Sequence, residues 1–308
     1  MILHCRSYYS LRFGMMAPST VATMAAACGF PKVLLADINN CTGWVDFIKQ
    51  CRSERIEGMV GMEFRRGSRL LYVCMARNMS GFQEINEYLT QCNMTETQPA
   101  DFAPPFNQVF VLYPWNENTP KQLRANEYIA VRPSQVPQLR VFNDRKLRGR
   151  MVAWWPVTFA SAADYDTHCH LRAIDSNTLL TNLKATQLAM NDEIMPDRKA
   201  AYEAFSECPD LLANAENLLR DCAADVQMGI VRNKKTFTGS RYDDKLLLEK
   251  LAMDGFPARY PSKSKQVLER ICKELEIIDR LGFSSYFLMA WDIVRYSMSR
   301  GFYHVGRG

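Results

Sequence analysis

The first ninety residues alternate between short apolar runs and longer amphipathic ones. Ile2 to Tyr8, Lys32 to Ala36, Glu57 to Phe64 and Leu70 to Ala76 are strand candidates, each a compact apolar run bounded by polar or turn residues. Pro18-Ser-Thr followed by Val21 to Ala27 predicts a helix that stops at Cys28-Gly29, and Gly43 to Arg55 and Ser80 to Thr90 predict two more. Thr95 to Asn107, rich in Pro, Thr and Asn, reads as a loop. Strands then follow at Val109 to Tyr113, Tyr128 to Arg132 and Met151 to Val157, and helices at Asp164 to Leu183, Asp197 to Phe205 and Pro209 to Cys222. Strand-helix alternation implies parallel pairing through crossover helices, with polar strand ends such as Asp37 on a carboxyl-end rim, where α/β barrels carry their chemistry.

The pattern breaks between Gly229 and Arg241, at Asn233-Lys-Lys-Thr-Phe-Thr-Gly-Ser. Residues 1–228 are therefore expected to form one domain and residues 229–308 a second. The second holds helical patterns at Asp243 to Asp254, Lys263 to Leu281 and Phe287 to Arg300. No internal repeat or low-complexity segment interrupts either part.

Composition narrows the class. Hydrophobic residues make up 47% of the chain and charged residues 23%, which suits a globular protein with a substantial core. No apolar run is long enough to span a membrane, and the N-terminus lacks the features of a signal peptide. Ten cysteines are scattered without a C-x-x-C pair, which predicts buried thiols in a reducing cytoplasm rather than a zinc ribbon. The net charge of +5 is uneven: residues 229–308 carry 15 Lys and Arg against 9 Asp and Glu, whereas residues 1–228 carry 23 against 24. A basic C-terminal part suits phosphate contact, with a solvated helix surface as the plainer alternative.

The first candidate chemistry surrounds His4 in Leu3-His4-Cys5-Arg6-Ser7-Tyr8-Tyr9-Ser10. On a strand, residues 4 and 6 share one face. An imidazole there can hold a metal, but a guanidinium has no lone pair to give. This segment is similar to the opening His-x-His-Ser-x-Tyr-Ser of the polymerase-and-histidinol-phosphatase (PHP) domain of bacterial replicative DNA polymerases, with Arg6 in place of the second histidine. Leu35-Ala36-Asp37-Ile38 resembles that domain's Thr-Asp-His segment, and Gly58-Met-Val-Gly61-Met-Glu63-Phe its Gly-x-Glu strand. Leu71-Tyr-Val-Cys-Met-Ala76-Arg-Asn78-Met-Ser-Gly81-Phe82 resembles its Leu-Ala-Lys-Asn-x-x-Gly-Tyr stretch. Val152 to Phe159 stands where the family has Thr-Asn-Asp-Val-His-Tyr. Of about nine ligands that the resemblance implies, His4, Asp37 and Glu63 remain as vestigial metal-site positions. Arg6, Ile38, Leu71, Pro156 and Thr158 replace five others. His168 and His170, two apart on a predicted helix, diverge and read as structural or surface residues.

Toward the C-terminus, Leu281-Gly-Phe-Ser-Ser-Tyr286-Phe-Leu-Met-Ala-Trp291-Asp292, then Val305-Gly306-Arg307-Gly308, is similar to the palm entry of the same polymerases. Glycines there let backbone N–H groups approach phosphate, and an arginine adds charge and a donor fork. The resemblance implies that Gly306, Arg307 and Gly308 contact the incoming nucleotide. The aromatic stripe Phe283, Tyr286, Phe287 and Trp291 has helical spacing and reads as core. Lys234, Lys235 and Arg241 read as solvated.

Taken with the resemblance, which is weakest over Thr95 to Arg150, the expected architecture is α/β. A PHP-like distorted (β/α)7 barrel, incomplete or irregular, precedes a mostly helical partial polymerase palm. The resemblance implies template-directed DNA synthesis from deoxynucleoside triphosphates in the whole protein. It places the paired aspartates that hold two Mg2+ ions downstream of Gly308, so no catalytic residue is expected in this chain and the chain alone should not polymerise. It further implies primer–template DNA, a proofreading exonuclease subunit and a sliding clamp as partners, and no membrane. No metal is expected on the barrel, which reads as a non-catalytic scaffold. The alternative is a metal-dependent phosphoesterase in its own right, with a proofreading or pyrophosphatase role.

Overall fold

A computed structural model describes the chain from Met1 to Gly308 apart from residues 224, 225, 227, 231, 232, 263, 307 and 308. It contains two compact units, Met1–Val226 and Gln227–Gly308.

The first unit is built on seven strands: β1 (Ile2–Cys5), β2 (Lys32–Leu35), β3 (Glu57–Arg66), β4 (Arg69–Ala76), β5 (Val109–Pro114), β6 (Glu127–Val131) and β7 (Met151–Val157). They pair in sequence order, and β7 returns to β1 with Ile2 opposite Trp154 and His4 opposite Pro156, so the barrel is closed rather than incomplete. Around it lie α1 (Pro18–Ala27), α2 (Trp44–Ser53), α3 (Met79–Met94), α4 (Arg145–Arg148), α5 (Asp164–Asp175), α6 (Arg198–Glu203) and α7 (Pro209–Arg220).

Expectation and structure part in other places too. All neighbouring strands are parallel except at β4, which is antiparallel to both β3 and β5. Only Gly67 and Ser68 separate β3 from β4, and so short a link can make a hairpin but not a crossover. The first strand ends at Cys5 rather than Tyr8, because the next residues turn to bring Ser7 beside Met16. The helix expected to reach Leu183 stops at Asp175, and Asn177 takes a left-handed φ of 46°.

Two motif glycines are fixed by close backbone approach. A Cβ at Gly61 would stand 2.1 Å from the Cys74 carbonyl oxygen across the hairpin, and one at Gly81 would stand 1.9 Å from that of Gln108. Gly81 also donates its N–H to the Asn78 side chain at 3.0 Å, the N-cap of α3.

Strand periodicity sorts the barrel interior along its axis. Ile2, Leu34, Ala36, Met59, Val73, Met75, Phe110, Leu112, Ala130, Val152 and Trp154 form one apolar cluster, joined by Ala215, Leu218, Leu219 and Cys222 from α7 and the turn after it. Moving two residues at a time toward the carboxyl ends of the parallel strands, Ile2 gives way to His4 and Arg6, Met59 to Gly61, Glu63 and Arg65, and Ala130 to Arg132. The interior is thus apolar at one end and ionic at the other.

The second unit consists of α8 (Arg241–Arg259), α9 (Lys265–Arg280) and α10 (Ser284–Ser299). Asp244, buried in the first turn of α8, accepts from the backbone N–H groups of Phe237 and Thr238 and from the Thr238 hydroxyl. This organises the segment where the sequence pattern breaks. The aromatic stripe expected as core is not buried here: Phe283, Tyr286 and Phe287 are exposed, because none of the residues of α9 is buried and α10 covers mainly Leu288, Ser284 and Ser285. Lys234, Lys235 and Arg241 are solvent-exposed, as expected.

Candidate functional site: an ion chain in the barrel mouth

The ionic end of the barrel holds a buried chain of alternating charge. Arg6, fully buried, lies between two carboxylates. Its Nε and Nη2 reach Glu63 Oε2 at 2.8 and 2.7 Å, and its Nη1 reaches Glu193 Oε2 at 2.7 Å and Thr158 Oγ1 at 2.8 Å. The Thr158 hydroxyl donates in turn to Glu193 Oε2 at 2.5 Å. Each carboxylate then meets a second guanidinium: Glu63 Oε1 pairs with Arg65 Nε, and Glu193 Oε1 with Arg132 Nη2 at 2.7 Å. Arg132 lies over Trp154 and Arg65 over Phe13, with guanidinium-to-ring distances of 5.0 and 4.3 Å.

Local structure explains why these side chains meet. Glu63 and Arg65 are two apart on β3 and point the same way. Arg6 follows β1 and donates its N–H to the Val157 carbonyl at 3.0 Å. Glu193 comes from an irregular segment, and its own carbonyl accepts from the N–H groups of Thr158 and Phe159 at 2.8 and 3.0 Å. That clamp fixes the Glu193 backbone beside the end of β7.

Electrostatics follow from geometry. Burial alone would raise Glu63, but Arg6, then Arg65 and His4, override it and hold the carboxyl at about 2. Glu193 is likewise raised by burial and brought down to about 2, by Arg6 first and then Arg132. His4 is pushed down to about 4, by burial first and by Arg6 second. It is therefore neutral at pH 7, with Nε2 3.1 Å from the Ala36 carbonyl and 3.5 Å from Glu63 Oε2. Its ring stacks on Trp154, centroids 5.9 Å apart.

The three vestigial positions are thus divided. His4 and Glu63 come together, with Arg6 against both. Asp37 instead organises the loop after β1, accepting from Ser7 N–H at 2.6 Å and from the Ser7 and Ser10 hydroxyls at 2.7 Å each. Burial pushes its carboxyl above the usual range, and the two serines partly offset this. Thr158 joins the ion chain, Pro156 stands opposite His4 in the sheet, and Leu71 is buried in β4. His168 is structural: Nδ1 donates to the Phe13 carbonyl at 2.8 Å, and Nε2 accepts from Ala189 N–H at 3.0 Å. His170 is exposed. Gly306 lies in an exposed coil, and Arg307 and Gly308 fall outside the described residues.

Sequence reasoning missed Glu193, Arg65 and Arg132. Arg65 was legible as the same-face neighbour of Glu63, but nothing around Glu193 marks it.

The donor set does not fit a divalent cation. The Arg6 guanidinium fills the space between Glu63 and Glu193, already carries the positive charge those carboxylates need, and offers no lone pair. Among the described residues no group of three or more His, Cys, Asp or Glu side chains could hold a metal ion. Nor, among them, is any helix long and apolar enough to cross a membrane.

Comparison with known proteins finds similarity at both ends of the chain. Residues 3–125 match the family model described as PHP domain, and residues 246–308 match the one described as bacterial DNA polymerase III alpha NTPase domain. The DNA polymerase III subunit alpha of Halalkalibacterium halodurans is 22% identical over 331 residues, an alignment covering 96% of this chain and 29% of that protein. The error-prone DNA polymerase of Pseudomonas paraeruginosa is 24% identical over 328 residues, covering 99% and 32% respectively. Among solved structures, a protein from Bifidobacterium adolescentis described as a metal-dependent phosphoesterase covers 67% of this chain and 95% of its own, at 11% identity and a TM-score of 0.26. The chain spans about three-tenths of the length of the polymerases it matches. With a PHP-domain match near one end, a polymerase III alpha match at the other and relatives aligned along nearly all of it, the chain is similar over almost its whole length to the N-terminal region of bacterial DNA polymerase III alpha subunits.

Proposed function

We infer that the chain is the N-terminal part of a replicative DNA polymerase catalytic subunit, and that its barrel is a non-catalytic scaffold. The observation that carries the scaffold reading is the Arg6 guanidinium seated between Glu63 and Glu193, where a hydrolytic metal centre would need open coordination positions. The polymerase reading is supported by the domain match over residues 246–308. The first domain would take residues 1–228 and the opening of the palm residues 229–308. Gly306, Arg307 and Gly308 would lie against the triphosphate of the incoming nucleotide. Primer–template DNA and deoxynucleoside triphosphates would be the substrates of the complete subunit. Mg2+ would be held by aspartates beyond this chain, and a proofreading exonuclease subunit and a sliding clamp would be its protein partners, in the cytoplasm.

Metal content is the direct test. The purified chain is incubated with zinc and manganese, freed of loosely held ions and analysed, then assayed on a phosphomonoester. A stoichiometry near zero with no hydrolysis is expected. One or more tightly held ions, lost in a Glu63→Gln variant, would favour a phosphoesterase of the barrel itself. In a polypeptide carrying the downstream aspartates, Arg307→Ala should raise the KM for deoxynucleoside triphosphate. An unchanged KM would remove the loop from the nucleotide site.

A further inference from the structure

A cleft of about 630 Å3 opens over the ion chain, lined in part by Arg65, Arg172, Phe13, Tyr9, Ser68 and Gln187. We propose that this cleft binds the phosphoryl group of an anionic ligand, held by Arg65 and Arg172 without a metal and without hydrolysis.

Three observations carry the assignment. First, both guanidiniums are set in place rather than free on the surface, each side chain only 9% exposed. Arg65 is tied through Nε to Glu63 and through Nη1 to the Ser68 carbonyl at 3.3 Å. Arg172 is tied through Nε to the Gln187 carbonyl at 2.9 Å and through Nη1 to Asp175 at 2.6 Å. Among the described residues, no protein group accepts from the Nη2 of either. Both guanidiniums line the cleft and are fixed by their other nitrogens, so each keeps an Nη2 that an anion in the cleft could engage.

Second, both guanidiniums lie over the same ring. Arg65 and Arg172 stand 4.3 and 5.3 Å from the centroid of Phe13, and Arg6 stands 5.6 Å from it. Holding three like charges around one ring raises the local potential and favours an anion that could answer it.

Third, the mouth has excess positive charge. Arg6, Arg12, Arg65, Arg132 and Arg172 face Glu63, Glu193, Asp175 and Asp37. Five cations thus meet at most four anions, and His4 is neutral. Asp175, the carboxylate among the lining residues, is already engaged by Arg12 at 3.2 Å and Arg172 at 2.6 Å. A tetrahedral phosphoryl dianion matches two donor forks better than chloride does. Burial also disfavours the charged form of Arg65, a cost that a bound anion would relieve.

The phosphoryl group is either free or attached to an organic body that reaches Leu11 and Tyr9, and titration separates the two. The whole chain is titrated with inorganic phosphate and, separately, with deoxyadenosine monophosphate. Binding is read by 31P line width and calorimetry at constant ionic strength set with sodium chloride. Saturable binding of at least one probe is expected, weakened about tenfold in Arg172→Gln, the loss of about one charge-assisted hydrogen bond. Arg198→Gln, at the opposite end of the barrel, should bind as the parent does. Tighter binding of the nucleotide would assign the attached form, and equal binding the free one. Because Arg172 also anchors Asp175, circular dichroism checks that the variant folds, and Ser68→Asp supplies a second test by placing a carboxylate in the cleft. Absence of saturable binding for both probes, or binding that survives both substitutions, overturns the proposal.

Discussion

Arg6 and Glu193 stand 187 positions apart in the chain and pair at 2.7 Å inside the mouth of the barrel. Arg6 occupies the position where the resemblance has a second histidine. The result is a buried salt-bridge chain in place of a metal centre. Such a chain contributes little net stability as a whole, yet is costly to break at one link, because the partner left behind remains buried and charged.

The first prediction follows. Arg6→Met leaves Glu63 and Glu193 buried without their shared cation, and should lower the unfolding free energy by about 3–5 kcal/mol. Urea denaturation at pH 7 measures it through the midpoint at unchanged slope. A loss below about 1 kcal/mol would mean that water reaches the carboxylates.

A second prediction concerns Arg6→His. Replacing the guanidinium with an imidazole leaves His4, Glu63 and Glu193 around a group that can donate a lone pair. Zinc or manganese should then raise the melting temperature of the variant and leave that of the parent unchanged. An equal response in both proteins would show that the ions act elsewhere.

The pH dependence can be read by sign. His4 and His168 are held down to about 4 from 6.5, by burial above all, so both fold neutral. Their contribution is complete above pH 6.5 and is lost as pH falls toward 4, on the order of 3 kcal/mol for His4. Glu63 and Glu193, held at about 2 from 4.5, add a second loss between pH 4.5 and 2. Asp37, pushed above its usual range, acts in the opposite direction. Urea midpoints should therefore fall from pH 7.5 to 4.5. A flat or rising profile would contradict the buried neutral histidines.

A fourth prediction tests backbone approach. Gly81→Ala drives a Cβ into the Gln108 carbonyl oxygen and should cost about 1–3 kcal/mol or more, while Gly149→Ala, with nothing closer than 3.7 Å, should be nearly neutral. Equal effects would mean that the turn before β5 gives way.

How much of this was legible beforehand divides by interaction range. Strand and helix positions emerged from periodicity because they depend on neighbours within about ten residues. The inverted β4 needed attention to a two-residue link, and the end of α5 at Asp175 needed the turn at Asn177. His4 and Glu63 were found from local motifs, and Arg65 lay within reach of a two-residue offset. Glu193 was not legible, since its place depends on its carbonyl bridging two N–H groups after β7. The aromatic stripe of α10 was assigned to core from its spacing. Spacing shows which residues share a face, but not whether anything covers it, and Phe283, Tyr286 and Phe287 are exposed.

The closure of the barrel also bears on how the chain matures during synthesis. Strand β1 is made before the other strands of the barrel, but one of its two sheet partners, β7, lies about 150 residues later, with Ile2 opposite Trp154. One counter-ion of Arg6 arrives later still, at residue 193. Until then the nascent chain carries an apolar strand and a guanidinium that cannot both be satisfied. Such long-range closure is slow and leaves unpaired strand edges exposed to other chains. The earliest-made segment of the first unit is thus among the last to reach its final environment, and the one most in need of protection while the rest is translated.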